Sequence, residues 1–281
     1  MARLKFLLAF FSLLICAAGV AGAYYWKKYA KPEISVTRQI TGEGTAKRQK
    51  PDLGKRHFDA AMALLAEGEL VSARDRLLYL MSFYPESRTF SDAKRVAGEV
   101  NLDLLISPIP YLEKTRHVVR RGEALITIAR RSNTTIDYIM RANGKTTVLI
   151  YPNEELVVYP LHYRVEISLE AGTLTVFDGK NFFKEYKIVN VNLPPEVAGT
   201  VVTTISEKVA WDVDCPVNFT DANYLNCSKW IRTGKIGLFI REYSLERTSA
   251  GAAPLGVMVE KFDMEELFTI LRVGTEVKLV N

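Results

Sequence analysis

Three cysteines and three histidines in 281 residues set the outer limit on nucleophilic chemistry in this chain. Acyl transfer through cysteine needs a thiolate, a base to generate it, normally an imidazole, and donors for the developing oxyanion. Cys16 sits in an apolar run, Cys215 and Cys227 flank the polar stretch between them, and no histidine follows His162. Asp212 and Asp214 beside Cys215 raise a thiol pKa rather than lower it, so the pattern argues for binding over catalysis. His57, His117 and His162 show no metal-ligand spacing, and neither metal nor cofactor is expected.

Around the two late cysteines the chain reads as β-structure. Residues 163–188 form two alternating apolar and polar runs broken at Asp178-Gly179, the pattern of paired strands joined by a tight turn. A later strand at Gly237-Leu238-Phe239-Ile240, the element Pro254-Leu255-Gly256-Val257-Met258-Val259, a helix at 263–268 and a closing strand at 273–280 follow in order. Taken together, residues 162–281 resemble the L,D-transpeptidase (YkuD-like) domain. That resemblance puts the family histidine at Phe239 and the family Ser-His-Gly-Cys-Ile-Arg element at 254–259. Pro254 then stands for serine, Leu255 for histidine, Val257 for the nucleophilic cysteine and Val259 for arginine, and Gly256 alone is kept. It implies a substrate-shaped cleft without chemistry, in which Trp211, Trp230 and Phe239 stack on a wall peptide or simply pack in the core.

The clearest motif lies upstream, within 114–160. His117-Val-Val leads through Arg121-Gly122-Glu123 into a helix carrying Leu125, Ile128 and Ala129; a second helix holds Ile136, Ile139 and Met140 and ends at Asn143; the turn Tyr151-Pro152-Asn153 feeds a closing strand. The segment resembles a LysM domain, with a βααβ plan. The resemblance implies that an N-acetylglucosamine polymer such as peptidoglycan lies between Gly122, Glu123, Ala124 and Leu125 on one side and Ile150, Tyr151 and Pro152 on the other. Glu123-Ala124 departs from the family's usual Asp-Thr and loses a hydroxyl that could cap the helix or meet the ligand, which implies weak affinity.

Residues 54–108 carry helical periodicity: Phe58, Met62 and Leu65; then Ala73, Leu77 and Leu80; then Val96, Val100 and Leu104 before Pro108. Small residues at the crossings and the break at 84–87 are similar to a tetratricopeptide-type hairpin of fewer than two repeats. Such a hairpin either packs on the next module as a spacer or recruits a partner such as a wall enzyme. Residues 27–53 read as a linker.

Phe6 to Trp26 is an apolar run flanked by Arg3, Lys5, Lys27 and Lys28. It is long enough to cross a bilayer as a signal anchor, and Ala21-Gly22-Ala23 also fits a cleaved signal peptide. Either reading puts the protein in the cell envelope, periplasmic or extracytoplasmic. In that oxidising setting Cys215 and Cys227 are candidates for a disulfide, two free thiols being the alternative. A formal charge of +5 with no basic cluster interleaved with aromatics excludes nucleic acid as a partner.

The expected fold is thus α+β and multidomain: an N-terminal transmembrane or signal helix, an α-hairpin region, a βααβ LysM module and a mostly-β domain. The expected function is an exported protein that binds peptidoglycan through LysM beside a non-catalytic transpeptidase-like domain. The alternatives are an active cross-linking enzyme using Cys215 or Cys227, and a scaffold recruiting wall enzymes through its helices.

Overall fold

The structure, a computed structural model, describes residues 24, 52–109, 113–197, 199–212, 215–244 and 255–280. The expected anchor or signal segment (apart from Tyr24), nearly all of the linker, Cys16, Asp214 and Pro254 lie outside these residues. Among the described residues no helix is long and apolar enough to cross a membrane. Residues 52–281 form one compact unit.

Three helices come first: α1 (Leu53–Ala66), α2 (Leu70–Phe83) and α3 (Phe90–Ile106). Asp52 caps α1 by accepting from Lys55 N and also binds Ser87 Oγ at 3.1 Å, tying the entry of α1 to the turn before α3. Ala61, Leu77, Leu80, Ala93 and Ala97 form a small core among the three helices. Small residues at these crossings let the backbones approach.

The LysM segment follows as β1 (Thr115–Val118), α4 (Leu125–Arg131), α5 (Ile136–Ala142) and β2 (Glu155–Val158), with β1 and β2 antiparallel and His117 opposite Leu156. Thr135 caps α5 through Tyr138 N. Asn143 ends α5 and pins β2, its amide donating to Ile139 O and Val157 O while its carbonyl accepts from Val157 N.

The remaining strands are β3 (Tyr163–Ser168), β4 (Thr173–Asp178), β5 (Asn181–Asn192), β6 (Val201–Asp212), β7 (Cys215–Val217), β8 (Ser228–Thr233), β9 (Phe239–Glu242), β10 (Gly256–Val259) and β11 (Glu276–Val280), with α6 (Lys261–Ile270) before β11. Their order is β11-β3-β4-β5-β10-β9-β8-β6, and an added β11–β6 pairing closes an eight-stranded ring, with β7 as a flap on β6. Closure removes the free edges of every ring strand. The run expected as one strand before Asp178 is two: it reverses at Gly172, whose φ of +64° suits a residue without a side chain, and β3 then pairs back on β4. The Asp178-Gly179 turn joins β4 to β5.

One hydrophobic cluster runs from Leu102 and Leu105 of α3 through Leu125, Ile128 and Ile139 of the LysM helices into Val165, Ile240, Val257 and Leu267 of the barrel and α6. The three modules therefore share a core. Polar bonds fix the same junctions: Asn101 Nδ2 donates to Phe183 O at 2.7 Å, Tyr138 Oη to Leu105 O at 3.2 Å and Thr135 Oγ1 to Thr269 O at 2.5 Å. Arg272 reaches Leu161 O and Asn133 Oδ1.

Candidate functional site

The two LysM loops that would line a glycan groove are held side by side by main-chain bonds: Val119 N donates to Glu154 O at 2.9 Å and Asn153 N to Val119 O at 2.8 Å. Gly122, at φ +83°, and Asn153, at +71°, take the left-handed conformation that these tight loops need, one lacking Cβ and the other an amide that tolerates it. Ala124 stands at the N-cap of α4 without a side-chain bond, so the missing hydroxyl leaves that helix end uncapped.

Two expected groove residues have other work. Glu123 accepts from Arg120 N, His117 Nε2 and Arg131 Nη1 at 2.8 to 2.9 Å, and these donors, the backbone N–H foremost, hold its carboxyl down at about 2. Its side chain latches the loop. Leu125 is 3% exposed and belongs to the core, and Ile150 is half-buried against it. The exposed apolar groups include Tyr151 at 67%, Leu149 at 63%, Val118 and Ile126. Leu149 and Ile126 escaped the sequence reading, since exposure of a lone aliphatic leaves no periodic signal. Glu154 locks the second loop, accepting from Tyr151 N and Lys145 Nζ.

In the barrel, β9 and β10 run parallel with Val257 beside Ile240, which sets Gly256 beside Phe239. Side chains alternate along a strand, so Val257 shares the buried face of Ile240 while Phe239 points to the other face. Val257 and Ile240 are fully buried and Phe239 is half-buried. A Cβ on Gly256, at φ +122°, would lie 2.6 Å from Phe239 O and 2.9 Å from Phe239 Cβ. Neither position 256 nor 257 thus offers a nucleophile toward residue 239. Trp211 and Trp230 lie with ring centroids 5.2 Å apart, and the Arg241 guanidinium covers Trp230 at 3.7 Å. The tryptophans are half-buried, and Trp230 Nε1 also donates to Ser228 Oγ at 3.3 Å.

Cys215 and Cys227 are both free thiols. The expected disulfide is absent for a reason of register: Cys215 on β7 pairs with Asp212, and Ser228 on β8 pairs with Trp211. The cysteines therefore flank β6 from opposite sides, about 10 Å apart at two strand spacings, beyond the roughly 7 Å limit for bridging. Cys215 is exposed; Cys227 is buried, donates to Asn223 O, and has its thiol pKa pushed up by burial against the partial offset of Lys229. Among the described residues no group of three or more His, Cys, Asp or Glu could hold a metal.

Under the LysM module lies a polar junction. Tyr224 Oη donates to Asp137 Oδ1 at 3.0 Å, Lys208 stands 3.8 Å from Asp137 Oδ2, Lys229 donates to Tyr224 O and covers its ring, and Arg141 pairs with Glu265.

A LysM domain model matches residues 117–158. No curated protein matches the chain. Among solved structures, an L,D-transpeptidase from Stackebrandtia nassauensis is similar over 43% of this chain and 56% of its own, at 16% identity and a TM-score of 0.31. L,D-transpeptidase 1 of Mycobacterium tuberculosis is similar over 45% and 77% at 14% identity and 0.30, and an L,D-transpeptidase of Mycobacterium smegmatis over 46% and 64% at 9% and 0.32. The chain thus spans little more than half of the first of these.

Proposed function

We propose that this chain is an exported protein of the cell envelope that binds peptidoglycan through its LysM module and carries a transpeptidase-like barrel without transpeptidase chemistry. The LysM match over 117–158, with the exposed apolar side chains of Leu149 and Tyr151 on the loop before β2 and of Ile126 at the start of α4, carries the binding half. Sugar faces cover such apolar side chains while loop backbone groups meet the acetamides. The reading of a barrel without transpeptidase chemistry is supported by the pairing of Phe239 with Gly256, by the burial of Val257 and by the buried thiol of Cys227, whose pKa burial raises.

Co-sedimentation with purified insoluble peptidoglycan, followed by muramidase digestion and analysis of the released fragments, tests both halves. The protein is expected in the pellet with no new cross-links, and Tyr151→Ala should lower the bound fraction severalfold. Cross-links that vanish on replacing Cys215 or Cys227 would establish a relocated active site instead.

A second reading has its own observation. His57, Tyr79, Phe83 and Tyr84 form an aromatic cluster on α1 and α2, with centroid distances of 4.5 Å for Tyr79–Phe83 and 4.9 Å for His57–Tyr79, and Phe83 is 64% exposed. Exposed clustered aromatics favour protein contact, which supports a scaffold that recruits a wall enzyme through its helices. Crosslinking from Phe83→p-benzoylphenylalanine in cells tests it; no adduct with another protein would exclude it.

A further inference from the structure

A cavity of about 360 Å³ opens between the β6–β7 hairpin, the loop after it and α6, and neither the LysM loops nor Phe239 and Gly256 line it. Its walls mix polar and apolar groups: Asn218 and Lys208 stand among Ala210, Pro216, Val217 and the rings of Phe219, Tyr224 and Phe268. Its one cation is Lys208, whose side chain is 13% exposed. Of the three ammonium hydrogens, one goes to Phe268 O, and the carboxylate of Asp137 stands at 3.8 Å, outside hydrogen-bond reach. The ammonium also lies 4.2 Å over the Phe268 ring. The side-chain charge of Lys208 is thus only partly matched by Phe268 O and Asp137, at the wall of the cavity. Burial holds the Lys208 pKa down to about 8 despite Asp137, which marks an ammonium short of compensating negative charge.

We infer that this cavity is a binding site for a small carboxylate carrying an apolar or aromatic body, about the size of one N-acylated amino acid, with the carboxylate on Lys208 and the body against Phe219, Tyr224 and Phe268. A carboxylate accepts from the Lys208 ammonium in a charge-assisted bond, and the rings cover the rest of the ligand. A small, fully hydrated anion would have to shed water against these walls for the same single bond, so amphiphilic carboxylates are preferred. Asp137 competes for the ammonium as an anion already in place.

Calorimetric titration of the full-length protein with N-acetylphenylalanine, its neutral carboxamide and inorganic phosphate is the test. The carboxylate should bind, the amide should bind at least ~10-fold more weakly, as loss of one charge-assisted bond requires, and phosphate should not register. Lys208→Met should weaken the carboxylate ~10-fold or more and Lys208→Arg should retain most of it. Asp137→Asn, which still accepts from Tyr224, should strengthen it. Equal binding of acid and amide, binding of phosphate as tight as that of the acid, or no strengthening in Asp137→Asn would overturn the assignment. The Asp137 arm stands on its own should Lys208→Met fail to fold.

Discussion

Glu123, expected from the sequence in the glycan groove, also latches its own loop through three accepted hydrogen bonds. Its partners His117 and Arg131 come from β1 and from the end of α4, and only the fold brings them to one carboxylate. With a folded pKa near 2 against an ordinary 4.5, this group stabilises the LysM loop above about pH 4.5, and that contribution fades as pH falls through 2. Glu123→Gln should therefore melt lower than the parent at pH 7, with the gap narrowing below pH 4 in a thermal-melt series. Phe239 and Val257 carry a second prediction. Restoring a histidine and a cysteine there, as Phe239→His with Val257→Cys, should give no cross-linking in the muramidase assay, because the side chains leave opposite faces of the sheet. The one-dimensional motif gave the positions; the direction of each side chain became visible only with the β9–β10 register.

At the scale of elements, the helices of 54–108 follow from periodicity and the βααβ plan from the LysM-like run of residues, since both signals are local. What no local signal carries is how α3 crosses β5. Gly98 permits that crossing: a Cβ there would lie 2.9 Å from Lys184 Cγ, and Lys184 cannot swing away, being paired with Glu99 and Glu266 at 2.8 Å each. Gly98→Val should destabilise the protein by about 1–3 kcal/mol through overpacking, read from denaturant midpoints. The reversal of the first β-run at Gly172 was hidden for the opposite reason: alternation continues through the turn, so period alone cannot tell one long strand from two short ones.

For the molecule as a whole, the junction of helices, barrel and α6 gathers Glu99, Asp103, Asp263 and Glu266 around Lys184, and burial followed by the charge of Glu266 raises Asp263 to about 6. A carboxyl raised above its unfolded value costs stability as pH climbs from about 4 through 6. Asp263→Asn should thus stabilise the fold at pH 7, on the order of 1 kcal/mol once its half-exposure is discounted, and make no difference at pH 3.5. The shared core of α3, the LysM helices and the barrel predicts one calorimetric unfolding transition for residues 52–281 instead of separate LysM and barrel events. Two resolved transitions would contradict that sharing. Ring closure also has a consequence in time. The strand that joins β3 to β6 is β11, which follows every other strand in sequence, so a growing chain cannot complete the ring until all the strands before it have left the ribosome. Until then β3 and β6 keep the open edges that β11 later covers, the kind of edge that invites pairing with other chains.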